Sequence, residues 1–452
     1  MAGSSAKDMT VGSPMKLILG FAVPLLFGFL FQQFYSMADT IIVGRTIDVY
    51  ALAAVGATGA IAFLILGFVQ GVTSGFSVIT AQRVGAQDEQ GVPRSVATSI
   101  LLSVGVTIIF TILSVLTARP LLELMQTPAD IIDDAYNYII VIYYGIAASV
   151  FFNLFSSIVR ALGDSRTPLI FLIVACIINI ALDFVCILVF RMGVAGAGWA
   201  TIIAQAVSAV LCLLYSLKRF PVLRLHREDW AFSWRFAWQH LRIGLPMAFQ
   251  FSVTAIGVMI MQAALNSFGS TTVAAFTAAS KIENIVSQPF NSLGVTVSVF
   301  AAQNYGAGRI ARIREGVRKS TLFSLIWSVF GAILVVFAGR PLIRLFVGDA
   351  SATVFDQAQY YLNIMAVFLF ALGQLFIYRN ILQGVGKGGM PLAAGFAELV
   401  MRALAAFVLT GALGYLGVCL ANPIAWIGAA VPLAIAYFIY MHKMKKNGDR
   451  IV

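Results

Sequence analysis

Twelve apolar stretches, each about 20 residues or longer, begin near residues 17, 51, 95, 135, 168, 197, 243, 273, 320, 357, 391 and 418. Runs of that length match the hydrocarbon thickness of a bilayer when coiled as helices. Inside lipid every backbone N–H and C=O must be satisfied within the fold, so spans of this length predict α-helices. The expected fold class is therefore an all-α polytopic membrane protein of twelve transmembrane helices. The residue balance agrees: 60% of the chain is hydrophobic and 11% charged, against about 25% charged in soluble domains. Cys176, Cys186, Cys212 and Cys419 all fall inside apolar runs, which reads as four reduced, packed thiols and no disulfide framework. The segment "MAGSSAKDMTVGSP" has no cleavable-signal pattern, so the first apolar run is expected to serve as an internal targeting signal.

A formal net charge of +11 would suit nucleic acid, but its distribution argues for a membrane. The N-terminal tail, the even-numbered loops and the C-terminal tail hold 23 of the 30 Lys and Arg residues; the odd-numbered loops hold Arg45, Arg119, Arg191, Arg340 and Arg344. That bias predicts both termini in the cytoplasm of a multi-pass protein of the cell inner (plasma) membrane. The expected partners are the lipid bilayer and small molecules, with no nucleic acid, and the default assembly is a monomer.

The chain repeats itself. Pro24 pairs with Pro246, "TAQRVGA" (80–86) with "AAQNYGA" (301–307), "ARPLLEL" (118–124) with "GRPLIRL" (339–345), and "RALGDSRTPL" (160–169) with "QGVGKGGMPL" (383–392), at offsets of 221 to 223. Four landmarks in one order make this a six-plus-six repeat. An even number of spans per half predicts repeats of like orientation, related by an axis along the membrane normal. The predicted organisation is an N-terminal six-helix lobe (1–215), a Trp-rich amphipathic linker on the cytoplasmic interface (216–242), a C-terminal six-helix lobe (243–442) and a basic tail (443–452).

With "QQFYSMADTIIVGR" in the first span, "AQRVGA" and "AQNYGA" after the second and eighth, and "RALGDSRTP" after the fourth, the chain resembles the multidrug and toxic compound extrusion (MATE) family over essentially its whole length. The resemblance implies two six-helix lobes related by a pseudo-twofold repeat. It also implies secondary active efflux of organic cations by alternating access, driven by inward H⁺ or Na⁺. A lipid-linked cargo flippase of the same superfamily is the alternative.

Polar residues inside the spans point to the same activity. Gln32, Tyr35, Ser36 and Asp39 recur at i, i+3, i+4 and i+7 and share one helical face. Asn179 and Asp183 in the fifth span lie at i, i+4. A carboxylate in a span costs roughly 2.5–3.5 kcal/mol on insertion scales. Asn or Gln would join helices at lower cost, so two aspartates favour ion coupling over structural glue. Two carboxylates in one dry site do not readily both ionise, which suits them to hold H⁺ or to cage Na⁺ through oxygens. The family pattern falls here on Asp39, Tyr35, Asn179, Asp183 and Thr201, and more loosely on Asn153. H⁺ is the favoured coupling ion. Asp39, Asn179, Asp183 and Thr201 are the oxygen donors for Na⁺ otherwise; no other metal and no cofactor is expected.

The C-terminal half departs from this. Met261 stands at the position matching Asp39, and Ser252 and Thr254 stand where NorM-like members carry a glutamate, which places the chain with the DinF-like branch. Glu398 and Arg402 form an i, i+4 pair in the eleventh span, read as structural, with a gating or substrate role as the other option. Lys281 and Glu283 fall inside the eighth span or at its end; inside, Glu283 would attract a cationic substrate. Other cavity-lining candidates are Gln32, Met37, Gln250, Met259 and Gln374. "GVAGAG" (193–198) and "GVGKGG" (384–389) lack phosphate-loop spacing and read as close helix approaches, so transport energy must come from an ion gradient. Pro24 and Pro246 lie inside spans and offer bending points. No catalytic motif is present: His226 and His240 lie in the linker and His442 borders the tail, and neither HExxH nor GxSxG occurs. The protein is not expected to be an enzyme. A pyrophosphate flippase would need cationic spans, and Arg402 is read as the one arginine clearly inside a span.

Overall fold

The computed structural model describes residues 8–348 and 351–446. Its described residues are almost entirely helical: α1 (Pro14–Thr46), α2 (Val49–Gly85), α3 (Gly91–Leu124), α4 (Ile132–Tyr144), α5 (Ile146–Ala161), α6 (Arg166–Phe184), α7 (Gly193–Arg219), α8 (Trp234–Asn266), α9 (Ser270–Gly306), α10 (Ile310–Phe337), α11 (Gly339–Val347), α12 (Ala352–Gly384), α13 (Gly389–Leu404), α14 (Thr410–Leu413) and α15 (Tyr415–Lys446). Among them, eleven helical stretches are long and apolar enough to cross a membrane, and a twelfth span forms when α4 and α5 are taken together across their 50° bend. The bend falls at Gly145, where a β-carbon would run into the side chain of Ile202 on α7. The all-α, twelve-span reading therefore holds.

The repeat survives in local detail. A π-helical turn follows α6 at Val185–Val189 and another follows α13 at Ala405–Leu409. Gly193 and Gly414, 221 residues apart, both adopt φ of 58°, a backbone conformation that favours glycine. In each half the chain turns sharply there into the next span.

The chain divides into two compact units. In unit 1, Phe27–Ser252, α2, α3, α4 and α5 enclose an apolar core around Ile61, Val69, Leu122, Ile139, Tyr143 and Val150. Val92, Val96, Leu154, Ile158, Cys212, Phe220 and Leu223 form a second core, so the start of the linker packs onto this unit. Here α2 and α8 touch backbone to backbone. A β-carbon on Gly71 would meet Ala248, and one on Gly75 would meet Gly244. Unit 2 takes Thr10–Leu26 and the described residues from Val253 on. Met261, Leu265, Ala406 and Val418 form part of its core, Ser292 Oγ donates to the Ala22 carbonyl, and Trp327 Nε1 donates to the Val286 carbonyl at 2.9 Å. The borders of the units thus fall within α1 and α8. The glycine contacts hold residues 244–248 to α2, and the Ser292 bond holds the first half of α1 to α9.

Candidate functional site

In unit 1, α1 supplies Tyr35 and Asp39, α6 supplies Asn179 and Asp183, and α7 supplies Thr201. Glycines bring α7 close to its neighbours: a β-carbon on Gly196 would lie 3.2 Å from the Cys186 side chain, and one on Gly198 would lie 3.0 Å from Val141 on α4. "GVAGAG" is thus a close helix approach.

The polar groups then form one chain. Tyr35 Oη donates to Thr201 Oγ1 at 3.4 Å. With its amide turned to satisfy both neighbours, Asn179 accepts from Thr201 Oγ1 at 3.3 Å and from Thr201 N at 3.1 Å, and its Nδ2 donates to Asp183 Oδ2 at 3.1 Å. The carboxyl groups of Asp183 and Asp39 lie close to each other. Both aspartates are buried, Asp183 completely, and each has an Oδ1 with no hydrogen-bond partner. Among the described residues neither forms an ion pair. Such a pair of acceptors can take up a proton or a small cation, and among the described residues no cationic side chain is paired with them.

Asn153 is not part of this chain of contacts: its Nδ2 donates to the Ser149 carbonyl one turn back on α5, at 2.8 Å. Tyr138 on α4, not singled out in the sequence, lies within electrostatic reach of Asp39, Tyr35 and Asp183. The signal that could have found it is the repeat, since Tyr138 matches Tyr361 at 223 and Thr201 matches Asn422 at 221.

Unit 2 builds something different at the matching place. Glu398 is gripped by two arginines: Arg402 Nη2 at 2.7 Å on its own helix and Arg379 Nη2 at 2.5 Å from α12. Arg379 corrects the reading of Arg402 as the one arginine inside a span. It lies within α12, only 8% exposed. Arg402 fits because Gly257 opposite has no side chain; a β-carbon there would collide with its guanidinium. Glu283 and Lys281 both lie well inside α9, about 20 Å along from Ser270 at 1.5 Å per residue. Lys281 is exposed and Glu283 half-buried. Glu283 accepts from Tyr361 Oη at 2.5 Å, Tyr361 Oη accepts from Asn422 Nδ2 at 3.2 Å, and Arg402 acts on Glu283 electrostatically.

The other expected lining residues are dispersed. Gln32 and Met37 are exposed on α1, Met259 is half-buried and Gln250 buried on α8. Gln374 is buried and joins α12 to α10, accepting from Thr321 Oγ1 at 3.3 Å and donating to Ser324 Oγ at 3.4 Å. Met261 is 6% exposed in apolar packing, so the position matching Asp39 carries no polar group.

Comparison with known proteins agrees with this architecture. The family described as MatE matches the chain twice, over residues 24–185 and 246–408, one match in each repeat. The chain is similar to the probable multidrug resistance protein YpnP of Bacillus subtilis, 29% identical over 84% of this chain and 85% of that one. It is also similar to the probable multidrug resistance protein NorM of Thermotoga maritima, 25% identical over 91% and 88%. Its fold superimposes on a crystal structure of MATE in complex with MaL6 with a TM-score of 0.91, covering 98% of this chain and all of that one at 22% identity. The chain belongs to the MatE family and is a membrane transporter, not an enzyme.

Proposed function

We propose that the protein is a secondary active multidrug efflux antiporter, exporting organic cations in exchange for H⁺ by alternating access. The observation that carries this reading is the paired, buried Asp39 and Asp183, each with a carboxyl oxygen left without a partner. Protonation removes their charge and lets the two carboxyl groups share a hydrogen bond. Loss of the proton restores mutual repulsion and a demand for a cation, which favours a different arrangement of α1 against α6. Tyr35, Thr201 and Asn179 orient Asp183 through the chain of hydrogen bonds. Na⁺ coupling would use the same oxygens of Asp39, Asn179, Asp183 and Thr201. It lacks the specific support that carboxyl contact gives to H⁺. The absence of a polar group at Met261 supports a DinF-like rather than a NorM-like mechanism. The bias of basic residues supports cytoplasmic termini in the inner membrane, and we assign a monomer.

The test uses the full chain in liposomes loaded with ethidium, under an imposed proton gradient or sodium gradient, with Asp39→Asn beside the native protein. Proton-driven ethidium movement that the variant lacks is the expected result. Movement driven by sodium alone would overturn the ion, and unimpaired transport by Asp39→Asn would overturn the site. The flippase alternative gains Arg379 as a second buried cation but loses it again to Glu398, which neutralises the pair. Movement of a polyprenyl pyrophosphate lipid with none of ethidium would favour it.

A further inference from the structure

At the linker end of unit 1 an apolar groove of about 410 Å³ runs between α3, α5, α7 and the linker. Ile100, Phe155, Val159, Leu217, Leu225 and Trp230 are among its walls. The segments that close it are the short turns Pro221–Leu223 and Arg227–Trp230, and basic residues flank them. Lys218, Arg219, Arg224 and Arg227 are all exposed and lie within three residues of a lining side chain. Arg160, next to the lining Val159, is held inward by a 2.7 Å bond to Ser157 Oγ. The nearby acids offset little of this: Asp229 accepts from the His226 backbone N–H at 2.7 Å, Asp164 accepts from Arg166 N and from Thr167 at the start of α6, and Glu228 remains. Just beyond, Phe232, Trp234 and Trp238 are exposed and follow one another as tilted rings with successive centroids 6.4 Å apart. An exposed aromatic row of this kind marks the headgroup level of a bilayer.

We propose that this groove binds one anionic phospholipid, with an acyl chain in the groove and the phosphate among Lys218, Arg224 and Arg227. An apolar slot at headgroup depth matches a hydrocarbon chain, and the cations on the same segment match an anionic head. A zwitterionic lipid satisfies the first condition and not the second. The linker thereby becomes a lipid-anchored element that fixes the ends of α5 and α7.

The full chain, purified and delipidated in detergent, is titrated with phosphatidylglycerol or phosphatidylcholine and read by native mass spectrometry. One phosphatidylglycerol is expected to stay bound, at roughly tenfold higher affinity than phosphatidylcholine. Arg224→Gln with Arg227→Gln should erase that preference, and Val159→Trp, which fills the slot, should weaken both lipids. Both variants are checked for native thermal unfolding, and Leu217→Phe replaces Val159→Trp if the latter is unstable. Equal retention of the two lipids, or a preference that survives the arginine variant, overturns the proposal. So does lipid retention unchanged by filling the groove.

Discussion

The two units carry related frames with opposite electrostatics. In unit 1 Tyr138 and Thr201 accompany two aspartates, neither of which forms an ion pair among the described residues. In unit 2 their repeat partners Tyr361 and Asn422 accompany Glu283, near an arginine–glutamate–arginine clamp. Both hold buried charge, but only one leaves it unanswered. A compensated cluster in lipid joins helices and resists change. An uncompensated pair of carboxyl groups is unstable unless something binds, which is the property a coupling site needs. Under the proposed mechanism, the cluster in unit 2 joins helices and the pair in unit 1 responds to its surroundings.

The most damaging way to break this comparison is to remove the answer in unit 2. Glu398→Gln leaves Arg379 and Arg402 buried without their directly bonded carboxylate and should cost about 3–5 kcal/mol. The expected readout is severe loss of folded protein in a thermal unfolding assay. Equal stability to the native chain would show the clamp to be dispensable. Asp183→Asn makes the complementary case: gradient-driven transport should be lost while thermal stability is unchanged or higher, because a buried acid without a full set of partners has been neutralised. Loss of stability comparable to Glu398→Gln would erase the distinction between the units.

Smaller changes sharpen it. Gly75→Val forces a side chain against the Gly244 backbone and should destabilise unit 1 by about 1–3 kcal/mol, seen as a lower unfolding temperature with unit 2 variants unaffected. Tyr361→Phe deprives Glu283 of a hydrogen-bond donor and should cost about 1–3 kcal/mol in stability, with transport by the remaining folded protein intact. Thr201→Val is the mildest. It breaks the link from Tyr35 to Asn179 and should slow transport a few-fold without changing the unfolding temperature.

Much of this was legible in the sequence, for physical reasons. Spans declare themselves because hydrocarbon tolerates little besides long apolar helices, and the repeat shows through paired motifs. Asp39, Asn179 and Asp183 stand out because acids and amides are rare in such runs. Arg379 was missed because it lies near the end of an apolar run, where a span and a loop look alike in composition. Tyr138 and Tyr361 were missed because an aromatic hydroxyl is ordinary in a membrane helix until its neighbours are known. The borders of the units inside α1 and α8 depend on backbone contacts at Gly71 and Gly75, which no hydropathy pattern reports. For Asn153 the family pattern matches more loosely, and its amide nitrogen donates within its own helix.

The central claim is that Asp39 and Asp183 hold a proton that the substrate cation displaces. The most direct measurement adds ethidium to the purified protein in weakly buffered detergent and reads proton release with a pH indicator, for the native chain, Asp39→Asn and Asp183→Asn. Release by the native protein and none by either variant is the predicted result. Binding of ethidium without release, or the same release from the variants, would contradict it.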